Sequence, residues 1–230
     1  MRTDHASIPR FFLIGLIVAV ATLVGCATTT KDRTQTLPAA GPGCCKSIEA
    51  TPRRTAIVRT AVRLLGATTI QVNGKRIAYD CAGVTRAIFL EHGIDLYDSG
   101  TTDPGANGVK LIHNHLSRHG KFHQGPAVRP GDLVFFDNTW DYNGDGILND
   151  PLTHVGIVER QEPDGTVVFI SRVAGAIERY RMNLALPQIH KTEKGRILND
   201  YIRRKDPGDH PDTGYLTGQL FAGFGTRVGL

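Results

Sequence analysis

Two stretches late in the chain constrain the fold more than any other feature. Residues 153–160, Thr-His-Val-Gly-Ile-Val-Glu-Arg, and residues 166–173, Thr-Val-Val-Phe-Ile-Ser-Arg-Val, are rich in β-branched and apolar side chains, and Pro163-Asp164-Gly165 lies between them. A turn of that composition between two such runs predicts an antiparallel hairpin. Pairing Gln161 with Thr166 across residues 162–165 sets a register in which Gly156 faces Ser171. His154 and Ser171 then share a face as diagonal neighbours, with backbones about 7–8 Å apart, and the bare Gly156 leaves their approach open. Arg129-Pro130-Gly131-Asp132 reads as a turn feeding a further strand, Leu133–Phe136, whose unbroken apolar run predicts burial.

Helical patterns precede these strands. Thr51 is a good cap and Pro52 suits a first helical position; Ile57, Val58, Ala61, Val62, Leu64 and Leu65 make an apolar stripe that Gly66 can end. Residues 68–79 read as an irregular extended segment turning at Asn73-Gly74. Asp80 is the expected cap of a second helix, which places Cys81 in its first turn and Val84, Ala87 and Ile88 towards a core, with Gly93 as the stop. Residues 109–118 suggest a third, weaker helix. The tail from 183 onward is less regular, and residues 218–224 are expected to pack back on the core. With 40% apolar residues, 26 Gly and 12 Pro, the pattern is an α+β domain: N-terminal helices on a small antiparallel sheet.

The first residues belong to a different class. Arg2 and Arg10 precede an apolar run over residues 11–24. That run is short of the roughly 20 residues of a comfortable membrane span and suits a secretory signal. Leu23-Val24-Gly25-Cys26 resembles a bacterial lipobox, which implies lipidation at Cys26 and a signal peptide over 1–25; an uncleaved anchor is the other reading. Ala27 after the cysteine resembles outer-membrane sorting, so the expected location is the cell envelope, in the outer membrane facing the periplasm. Residues 26–45, small, polar and Pro/Gly-rich, read as a flexible tether ahead of a domain over 46–230. The formal charge is +5, and losing Arg2, Arg10 and Asp4 with the signal leaves +4. There is no basic stripe with interleaved aromatics, so nucleic acid is not an expected partner. Cys44 and Cys45 have no assigned use.

Three short motifs carry a family resemblance. Tyr79-Asp80-Cys81-Ala82-Gly83-Val84, then Pro130-Gly131-Asp132-Leu133-Val134-Phe135-Phe136, then His154-Val155-Gly156-Ile157-Val158 resemble the NlpC-type cell-wall cysteine peptidases and their CHAP amidase relatives, over roughly residues 53–182. The resemblance implies a papain-like NlpC/CHAP domain that hydrolyses amide bonds of peptidoglycan peptides. It implies Cys81 as nucleophile and His154 as base. The family carries His where this chain has Ser171, so the third role falls to Ser171 or lies elsewhere.

The residues themselves point the same way. A helix N-terminus favours negative charge, and a neighbouring imidazole would lower the thiol pKa further as an ion pair. An inert core cysteine is the other reading of Cys81, and an unpartnered histidine that of His154. A base needs its far ring nitrogen held, and the Ser171 hydroxyl can accept that N–H; a plain strand serine is the alternative. The backbone N–H of Cys81 is a candidate oxyanion donor. His113, His115, His119 and His123 lack acidic or cysteine companions at ligand spacing and read as a solvated polar face.

Between the two strand motifs runs Asp-Tyr-Asn-Gly-Asp-Gly-Ile-Leu-Asn-Asp, residues 141–150. Asp141, Asn143, Asp145, the Ile147 carbonyl and Asn149 have the spacing of a calcium loop, with Asp150 as a substitute for the missing acid at the twelfth position; an Asn/Gly/Asp-rich turn is the alternative. Calcium would be structural here, stiffening an otherwise floppy loop at the entry to the His154 strand, and no cofactor is expected for the chemistry. The leading expectation is a lipid-anchored hydrolase acting on peptidoglycan peptides. A non-catalytic, calcium-stabilised wall-binding lipoprotein and an acyl-transferring relative are the alternatives.

Overall fold

The computed structural model describes residues 50–98, 100 and 105–230. The expected signal peptide, Cys26, the tether, Cys44 and Cys45 lie outside the described residues. Thr51 accepts the Arg54 amide, and Pro52 opens α1 (Pro52–Arg63). A tight turn at Asn73-Gly74, both with positive φ, joins β1 (Gln71–Val72) to β2 (Lys75–Arg76). Asp80 then caps α2 (Cys81–Leu90), accepting the Gly83 amide at 2.7 Å. Asn107 does the same for α3 (Gly108–His119).

The rest is strand and loop: β3 (Gly120–His123), β4 (Leu133–Phe136), β5 (His154–Gln161), β6 (Val167–Val173), β7 (Ala176–Met182) and β8 (Phe221–Arg227). These six form one antiparallel sheet in the order β3-β8-β4-β5-β6-β7. The domain is therefore α+β. Both faces of the sheet are covered. Val155, Ile157, Leu133, Phe135 and Ile170 pack with the helices, while Val134, Phe136, Val158, Phe169 and Phe224 pack with Ile202 and Leu220 of the tail. Burial on two sides explains why β4 reads as a continuous apolar run rather than an alternating one.

Three expectations change. The segment over 218–224 does not merely lean on the core, since β8 lies within the sheet between β3 and β4. The β5–β6 hairpin starts one residue out of the expected register, with Gln161 opposite Val167, and an irregularity between Val158 and Arg160 restores Ile157 opposite Ile170. The histidines are a solvated face only in part, since His119 alone of the four is exposed. His115 is buried and bonds the Asp98 carbonyl at 2.9 Å, His113 stacks on Phe122, and His123 stacks on Phe224. Aromatic surface from β3 and β8 packs against rings that polarity alone assigns to water. Among the described residues no helix is long and apolar enough to cross a membrane.

One buried ion pair ties these layers. Asp132, at the start of β4, accepts Arg54 of α1 at 2.8 Å, the Arg129 amide at 2.9 Å and the Thr226 hydroxyl of β8 at 2.8 Å. The side chains of the ion pair are 4% and 1% exposed. Removing one partner strands the other charge in the interior. Arg54→Ala is expected to cost about 3–5 kcal/mol in urea unfolding. Arg54→Met combined with Asp132→Asn should cost less than the two single changes added together.

Candidate active site

Cys81 sits where capping predicts, in the first turn of α2. Its position depends on a close approach at Gly83: a Cβ there would lie 2.0 Å from the Ala78 carbonyl oxygen. Only glycine lets the chain before Asp80 fold that tightly against the helix start. Tyr79 donates its hydroxyl to the Ala67 carbonyl and anchors the same segment.

His154 is the first residue of β5 and is 7% exposed. It stands opposite Phe136 across the β4–β5 ladder, on the sheet face away from Val155 and Ile157. Because it lies at the strand's end, a cleft of about 580 Å³ reaches it and Cys81 together. Thr153, Asn107, Gly108, Trp140, Arg172 and Arg204 also line that cleft. Among the described residues no hydrogen bond or ion pair joins the Cys81 sulfur to the His154 ring.

The third residue is placed by β6. Ser171 is 1% exposed, and its Oγ lies 2.9 Å from His154 Nε2. Ser171 donates its own hydrogen to the Val155 carbonyl at 2.7 Å. A serine has one O–H to give, so Nε2 must carry the ring proton and donate to Oγ. That assigns the tautomer and leaves Nδ1 as the basic nitrogen. The open space expected over Gly156 is instead filled by the Phe169 ring, 2.6 Å from where a Cβ would stand. The His154–Ser171 pairing joins the first residue of β5 to the body of β6, past a glycine whose open side is already filled.

The electrostatics differ from the expected ion pair. Burial pushes the Cys81 thiol up to about 11; the N–H of Val155 opposes that rise, the Asp80 carboxylate adds to it, and the N–H groups of Ala82 and Cys81 oppose it. Burial, with the Arg172 cation second, pulls His154 down to about 3. Neutral thiol and neutral imidazole are therefore the resting pair, because the cleft desolvates both charged forms more than the helix N-terminus compensates.

The loop over 141–150 carries a network of its own hydrogen bonds. Asp141 accepts the Gly144 and Gly146 amides at 2.7 and 2.9 Å, Asn143 the Asp145 amide at 2.9 Å, and Asp145 the Ile147 amide at 2.8 Å. Asn143 and Asn149 both donate to Asp145, whose carboxyl is held below the usual range, chiefly by Asn149. Asp150 has a different partner: buried, it accepts the Tyr142 amide at 3.0 Å. The Ile147 carbonyl accepts the Asn149 amide at 3.0 Å. Among the described residues no three His, Cys, Asp or Glu side chains gather as for a metal ion. The loop's converging donors are two carboxylates and two amides. Its root is closed by Asn138 and Asp150, each bonding the other at 2.8 Å, four residues before His154.

Several cleft residues escape sequence reasoning. Arg172 sits in a run that reads only as strand. Asn107 carries a capping signal, yet its second contact, from Nδ2 to the Leu152 carbonyl at 3.3 Å, ties α3 to the approach to His154. No protein-family model matches the chain, and no curated protein matches it.

The depressed His154 pKa makes a thermodynamic prediction. The unfolded chain binds a proton near the ordinary 6.5, the folded one only near 3. This contribution is complete above about pH 6.5 and is lost as pH falls towards 3. Between pH 6 and 4, wild-type stability in urea should fall more steeply than that of His154→Gln, by up to about 1.4 kcal/mol per pH unit.

Proposed function

We propose that this protein is a cysteine hydrolase of peptidoglycan peptides, of papain-like NlpC or CHAP type, held at the cell envelope through a lipid on Cys26. The observation that carries this reading is one cleft lined by a helix-capped Cys81 and by a His154 whose far nitrogen is fixed by Ser171. His154 Nδ1 takes the thiol proton as Cys81 sulfur bonds to the scissile carbonyl carbon. The carbonyl oxygen becomes an oxyanion, with the Cys81 backbone N–H as a donor. The C–N bond then breaks, and His154 returns the proton to the leaving amine. Water, deprotonated by the same imidazole, attacks the thioester and releases the acid and the thiol. Because the resting pair is neutral, proton transfer accompanies C–S bond formation rather than preceding it.

The bond cut is either a γ-D-glutamyl–diamino-acid link or a muramoyl–alanine amide. A calcium ion on Asp141, Asn143, Asp145 and Asn149 would stiffen the loop ahead of His154 and take no part in the chemistry. The neutral thiol and the missing Cys81–His154 bond favour a second reading, a wall-binding lipoprotein of the same fold.

Mass spectrometry of purified wall fragments separates the two. Wild type should release new peptide ends and Cys81→Ala none. Ser171→Ala should lower kcat about tenfold with little change in KM, the effect of losing one hydrogen bond of about 1.4 kcal/mol. Binding without any cleavage by wild type supports the second reading. For the loop, EDTA should lower Tm by a few degrees and calcium should restore it; an unchanged Tm and an unchanged activity together remove the ion from the proposal.

A further inference from the structure

We propose that Arg172 and Arg204 form a carboxylate-recognition subsite in the Cys81–His154 cleft, taking peptides with a free carboxylate beside the scissile amide. The inference rests on the hydrolase reading for its setting, but its observations are separate. Both arginines line the cleft. The Arg172 guanidinium lies over the Tyr79 ring at 5.1 Å, which fixes its plane and strips part of its water. Its Nε is enclosed and has no hydrogen-bond partner among the described residues.

Arg204 is exposed, and among the described residues neither arginine has a carboxylate in ion-pair contact. Arg203 next door shows the contrast, pairing with Asp209 at 2.6 Å. Asp80, the acid among the cleft residues, already accepts the Gly83 amide at 2.7 Å and does not neutralise the arginines. The cleft wall therefore carries two guanidinium groups against one occupied carboxylate. A planar guanidinium held on an aromatic face suits a carboxylate through paired N–H bonds. A cleft of about 580 Å³ is in the range of small-ligand sites. The carboxylate would orient the peptide so that the neighbouring amide carbonyl reaches Cys81, making Arg172 a binding residue and not a proton donor.

The test uses the full chain carrying Cys81→Ala, so that binding is read without turnover. The probes are L-alanyl-γ-D-glutamyl-diaminopimelate and the same tripeptide with its glutamyl α-carboxylate converted to the carboxamide. Calorimetric titration should show the acid binding about tenfold more tightly than the amide. Adding Arg172→Gln should bring the two affinities together, and Arg172→Lys should restore part of the difference. Arg204→Gln should reduce the preference by a smaller factor, since that group is exposed. Equal binding of acid and amide, no binding of either at millimolar concentration, or a preference that survives in folded Arg172→Gln would overturn the subsite. Failure of the hydrolase reading appears elsewhere, as wild type that cleaves no wall fragment.

Discussion

The Val155 carbonyl anchors the Ser171 side of the candidate site. The ladder between β5 and β6 ends at Ile157 opposite Ile170, so Val155 lies two residues past it. In an intact ladder its C=O would bond a neighbouring strand; here the carbonyl takes the Ser171 hydroxyl at 2.7 Å. A buried peptide needs both groups satisfied. The Ser171 side chain satisfies the carbonyl, and in doing so settles where the hydroxyl beside His154 stands. The His154 tautomer follows from the same bond, because Ser171 has given away its only hydrogen.

That arrangement requires β5 to stay put, which the rest of the domain ensures. The strand is buried between the helices and the tail, with β4 on one side and β6 on the other. β4 is in turn fixed at its start by Asp132, where α1 and β8 converge. The C-terminal strand therefore belongs to the support of the site: it completes the sheet beside β4 and leaves β4 no open edge.

The local features of the site were legible in the chain. Asp80 capping Cys81, the Asn73-Gly74 turn, the Pro-Gly-Asp start of β4 and the two hairpin strands each follow from short-range rules, and the structure places them there. The unseen parts depend on long-range pairing or on ring packing. β3 and β7 lack strong alternation, and β8 carries Gly223 against Gln124 and Gly225 against the Leu116 and Phe135 side chains, a pattern that reads as loop until its neighbours are known. The one-residue shift at the hairpin end comes from an irregularity near Glu159, which no residue count across the turn reveals. Arg172 was invisible for a similar reason: its place in the cleft appears only once the segment before α2 brings the Tyr79 ring beneath it.

A serine as third residue fits a neutral resting pair better than it would fit an ion pair. A carboxylate at that position would stabilise imidazolium and draw the thiol proton across before substrate arrives. A hydroxyl bound to a backbone carbonyl supplies direction with no charge, while burial and the nearby Arg172 cation oppose protonation of the ring. In the proposed hydrolysis, the charge needed to carry the thiol proton would come from the reaction itself, as the attacked carbonyl becomes an oxyanion beside the helix N-terminus. A thiol kept neutral by burial reacts slowly with oxidants and alkylating agents, since the thiolate is the reactive form. On the proposed hydrolase reading the cost would be a base whose strength is realised only when a correctly seated amide accepts electrons, which would couple the chemistry tightly to how the cleft holds its ligand.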